Sequence, residues 1–76
     1  MISLFSKKKY KDIDKVLEAL EMNLSNNYKD LAISSRNELE KLIVSRHNEG
    51  TLIGKDYEKY NKKLISYTEK MKGYHH

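Results

Sequence analysis

No proline interrupts this chain, and its only glycines are Gly50, Gly54 and Gly73. Proline breaks a helix interior and glycine weakens one. A sequence this poor in both is suited to long helices and has few places to turn. Two segments carry turn residues: Ser25-Asn26-Asn27 and Glu49-Gly50-Thr51-Leu52-Ile53-Gly54. They divide the chain into three stretches, and each shows apolar residues at helical spacing.

In the first stretch Tyr10, Ile13, Leu17, Leu20 and Leu24 alternate spacings of three and four, which places them on one helical face. Val16 and Ala19 broaden the stripe. Asp12 and Asp14 fall in the first turns, where they complement the positive end of the helix dipole. Ser25 and Asn27 are good N-cap residues for the next helix. That helix shows the most dilute seam: Leu31, Ser35, Leu39, Leu42 and Arg46, widened by Ala32 and Ile43. Gly50 suits a helix C-terminus with positive φ. Leu52 and Ile53 are too apolar for a solvated loop and are expected to plug the end of the core. Tyr57, Tyr60, Leu64, Tyr67 and Met71 form the seam of the third helix.

The pattern predicts an all-α fold, a small antiparallel three-helix bundle with helices at about residues 10-23, 27-48 and 55-72. Seventy-six residues suffice for one domain with a modest core, taken as 1-76 with 1-9 as a flexible basic segment and 73-76 as a tail. His75 and His76, native or remnants of a tag, carry no functional argument. Because chain ordering offsets nearly all the burial energy of so small a core, self-association is an expected property.

The absence of cysteine removes any disulfide framework, thiolate metal site or thiol nucleophile. No apolar stretch approaches the roughly 18–20 residues that cross a bilayer. The expected location is cytoplasmic. The formal net charge of +4 is unevenly placed: residues 1–11 carry +4, residues 12–54 carry −3 and residues 55–76 carry +3.

Two features could contact a partner. The lysines Lys7, Lys8, Lys9 and Lys11 beside Leu4 and Phe5 could hold a phosphate backbone or an anionic membrane surface, or simply be solvated. Tyr57, Tyr60 and Tyr67 share a stripe with Lys59, Lys62 and Lys63 nearby, a combination that single-stranded nucleic acid binders use. The same tyrosine spacing serves a bundle core or boundary, where the ring is buried and the hydroxyl stays wet. His47 has no second ligand at helical spacing, with Ile43 before it and Thr51 after, so no metal site is expected. No carboxylate pair, nucleophile elbow or glycine-rich phosphate loop stands out. The expectation is a protein that is not an enzyme and uses no cofactor or small-molecule substrate.

Gly50-Thr51-Leu52-Ile53-Gly54-Lys55-Asp56-Tyr57, continuing to Leu64, resembles the turn of SHOCT-type short helical hairpins, with Ile53 where those carry a serine or threonine cap. That resemblance implies a helix–turn–helix and no defined activity. Leu20 to Asp30 is similar to small uncharacterised proteins of conjugative elements in low-GC Gram-positive bacteria, which implies a mobile-element accessory context. Together these readings favour a helical module for protein–protein interaction or self-association. The alternative is a nucleic-acid-binding accessory protein using the basic N-terminus and the third helix.

Overall fold

The computed structural model describes residues 10–74. Three helices account for most of them: α1 (Lys11–Ser25), α2 (Lys29–Asn48) and α3 (Gly54–Lys70), followed by a 3₁₀ turn (Met71–Tyr74). No strand occurs among the described residues. The protein is an all-α three-helix bundle, and each of its helices begins and ends within two residues of the expected bounds. Residues 1–9, with Lys7, Lys8 and Lys9, lie outside the described residues, as do His75 and His76.

Side-chain pairs define how the helices run. Asp12 pairs with Arg46 and Asn23 with Ser35, so an advance along α1 is matched by an equal retreat along α2. Arg36–Thr68 and His47–Tyr57 set the same antiparallel relation between α2 and α3. It follows that α1 and α3 are parallel. Short connections impose this up-down-up path.

The core is one cluster. From α1 come Ile13, Leu17 and Leu20, from α2 Ala32, Leu39 and Ile43, and from α3 Tyr60 and Leu64. Tyr10, Leu52 and Met71 close it from the flanks. Leu24, Tyr57 and Tyr67 pack against it half-buried, so the expected faces of α1 and α3 are the observed ones. No described side-chain nitrogen or oxygen is buried without a partner.

On α2 the expected Ala32, Leu39 and Ile43 are buried, and one seam residue, Leu31, departs from its expected position. Leu31 is 56% exposed, whereas Ala32 is fully buried. Ala32 sits in the first turn of α2 and belongs to the core cluster. Leu52 plugs the end of the bundle as expected, but Ile53 is 59% exposed. Ile53 is the extended residue that launches α3, and its extended backbone turns the side chain outward (φ −138°, ψ 170°).

Asn27 ends α1 rather than starting α2. Its φ is +61°, its N–H donates to the Leu24 carbonyl (3.1 Å), and the Tyr28 N–H donates to the Asn23 carbonyl (2.9 Å). These are the paired bonds of a Schellman C-cap. Gly50 repeats the arrangement after α2, with φ +82° and with Gly50 N–H to His47 O and Thr51 N–H to Arg46 O, both 3.0 Å. Asparagine tolerates the left-handed region better than most residues, which is how one motif serves both turns.

Candidate functional site

The α1–α3 seam differs from the others in what spans it. These two helices make few close backbone approaches, and long side chains bridge them. Tyr10 donates its hydroxyl to Asp56 (3.0 Å), Tyr60 to Asp14 (2.6 Å), and Tyr67 to Glu21. In all three pairs the partners are 46 positions apart, so the helices keep one parallel register along the seam. Tyr10 and Tyr60 also meet edge to face, with ring centroids 5.6 Å apart.

The chemistry of these rungs follows from their surroundings. Burial raises the Tyr60 hydroxyl well above the usual phenol range, and the bond to Asp14 raises it further. Burial and then the bond to Asp56 raise Tyr10 in the same sense. Tyr67 is pushed up to about 12 by burial first and Glu21 second. Each tyrosine is therefore held as a neutral donor facing a carboxylate. They act as structural ties rather than as acids.

An open groove runs along this seam. Lys11 and Lys15 line it from α1, and Lys59 and Lys63 line it from α3. Tyr60, Leu17 and Asp14 form part of its lining, with Glu18 and Glu21 further along. The Lys59 ammonium sits 5.0 Å from the centre of the Tyr60 ring. Of the lysines expected to contact a partner, Lys11, Lys59 and Lys63 are thus brought to one groove. Lys62 is exposed on α3 but does not line it. Lys15 was not singled out from the sequence. Its signal was present, one helical turn after Lys11, but the facing lysines were visible only in the fold.

The tyrosine stripe is committed to packing. Tyr60 is 3% exposed, and Tyr57 is stacked on His47 with centroids 3.8 Å apart. Two further polar groups near the α2–α3 turn are engaged. His47 Nδ1 lies 2.9 Å from the Leu52 carbonyl, and Asp12 is paired with Arg46. Among the described residues no three His, Cys, Asp or Glu side chains gather as a metal site would require. No helix of the described residues is long and apolar enough to cross a membrane. No known protein family, curated protein or solved structure matches the chain.

Proposed function

We propose that the protein is a non-enzymatic helical interaction module that acts on a protein partner or on a second copy of itself. The observation that carries this reading is the apolar surface left over once the core is complete. Met22, Tyr28 and Leu31 are each more than half exposed, and all three flank the α1–α2 connection. Large apolar side chains gathered at one end of a small domain mark a contact surface when they are contiguous. His47, Asp12, Asp14 and Glu21 are each occupied by internal contacts. If the resemblance of Leu20 to Asp30 to conjugative-element proteins holds, it adds a mobile-element context and no chemistry.

Sedimentation velocity across concentration tests the reading, together with pull-down from the native host. Concentration-dependent association, or a recovered partner, that is lost on Leu31→Ser is the expected result. A strict monomer with no partner would overturn it.

One observation favours a second reading, in which the protein contacts nucleic acid. The fold places Lys11, Lys59 and Lys63 along a single groove. On this reading Lys7, Lys8 and Lys9 would add to the same attraction. Binding would then weaken steeply with salt.

A further inference from the structure

The parallel register of α1 and α3 orders the lysines of the groove. With partners 46 positions apart, Lys59 is level with Ile13 and Lys63 with Leu17. Lys11, Lys59, Lys15 and Lys63 therefore alternate from rim to rim. At a rise of about 1.5 Å per residue, four ammonium groups are based within about 9 Å of helix length.

Three acids at this end have partners within the fold, and Asp14, which lines the groove, keeps its negative charge against the four lysines. Asp12 pairs with Arg46, Asp14 accepts from Tyr60 and Asp56 accepts from Tyr10. None of the four lysines is in an ion pair among the described residues. Glu18 and Glu21 come next along α1, so the groove is basic in its first half and acidic in its second.

We infer that the basic half of the α1–α3 groove binds the phosphodiester backbone of a nucleic acid strand through Lys11, Lys15, Lys59 and Lys63, without reading its bases. This rests on the second reading above and specifies it. A line of regularly spaced cations suits a line of phosphates. Within this groove base recognition lacks an open aromatic face, since Tyr60, the aromatic residue of its lining, is buried. An acidic peptide fits less well, because peptide docking relies on an apolar pocket for anchors. Here Leu17 and Tyr60 are 8% and 3% exposed and belong to the core.

The test is fluorescence anisotropy with the full chain, using a labelled oligothymidylate, a mixed-sequence strand of equal length and polyglutamate, from about 50 mM salt upward. The two strands should bind alike. Lys59→Gln, Lys63→Gln and Lys15→Gln should each weaken binding and lower the log–log salt slope by about 0.7. Lys41→Gln changes net charge equally but lies on α2, outside the groove, and should keep the slope. Glu18→Gln should tighten binding. Circular dichroism would confirm that each variant remains helical.

If the strands bind but only Lys7→Gln, Lys8→Gln and Lys9→Gln weaken them, the groove assignment falls and the nucleic-acid reading stands. Absence of binding at low salt overturns both. Preference for polyglutamate, or for one base sequence, overturns the inference.

Discussion

The two seams that α1 makes are built on different principles. Against α2 it packs closely, with polar clamps at both ends: Asp12–Arg46 and Asn23–Ser35. Against α3 it stands further off, and tyrosines fill the distance with rings while tying their hydroxyls to carboxylates. The first seam derives its strength from contact between small and branched apolar groups. The second combines ring burial with charge-assisted hydrogen bonds, which are stronger than neutral ones. It also leaves the open groove whose rims carry the lysines. A seam held by long side chains can be both stable and accessible, which a close-packed seam cannot.

The largest expected effect lies in the core. Leu39→Ala should cost about 2–5 kcal/mol by removing a fully buried side chain. In a domain this small, chemical denaturation should show a chain near or past unfolding. The first turn of α2 has its own test: Ala32→Leu should destabilise by about 1–3 kcal/mol through overpacking. Leu31→Ala, one residue away, should fall within about 0.5 kcal/mol of the parent because Leu31 faces solvent. Equal effects at these two positions would contradict the burial of Ala32 and the exposure of Leu31.

The spaced seam is tested by removing single hydroxyl groups. Tyr60→Phe should cost about 1.5 kcal/mol, the worth of a hydrogen bond to a charged group in a partly buried setting. Tyr67→Phe should cost less, because its bond to Glu21 is exposed. The same groups predict alkaline behaviour. All three tyrosines bind their proton more tightly when folded than the ordinary phenol value of 10.0 would give. Their contribution is fully present below pH 10 and is lost as pH rises, with Tyr67 titrating at about 12. Helicity followed from pH 9 to 12 should therefore fall, and Tyr60→Phe should flatten that fall.

The smallest effect belongs to the clamp on the close seam. Arg46→Gln should cost no more than about 1 kcal/mol, since both Arg46 and Asp12 are partly solvated. A larger loss would mean that the α1–α2 seam relies on its ion pair rather than on contact.

Much of this architecture was legible beforehand. The α1 stripe from Tyr10 to Leu24 and the α3 stripe from Tyr57 to Met71 follow from spacing alone, because a dense apolar stripe leaves one orientation open. Gly50 announced its turn by being the residue that adopts positive φ most readily. The α2 seam was less legible. Ser35 and Arg46 looked like dilutions of an apolar face, yet each is matched by a polar partner on α1, Asn23 and Asp12. Nothing in a one-dimensional pattern announces that match, since the partners come together only when two helices adopt a common register. Asn27 was ambiguous for another reason: its side chain suits an N-cap and its backbone suits a left-handed C-cap, and the short connection selected the second.

The candidate site divides in the same way. Lys11 stood out in the basic N-terminal cluster, and Lys59 and Lys63 as charges beside the tyrosine stripe, but their meeting depends on α1 and α3 being parallel neighbours. So does the pairing of Asp14 and Glu21, which read as ordinary residues of a polar face, with Tyr60 and Tyr67. By itself the sequence determined three helices, their two breaks, and which faces of α1 and α3 are apolar, because periodicity and backbone preference act over a few residues. Only the tertiary structure decided that Ala32 rather than Leu31 is buried, which acid ties which tyrosine, and where a groove remains. Those outcomes depend on three surfaces packing at once, and their distances are set by side chains far apart in the chain.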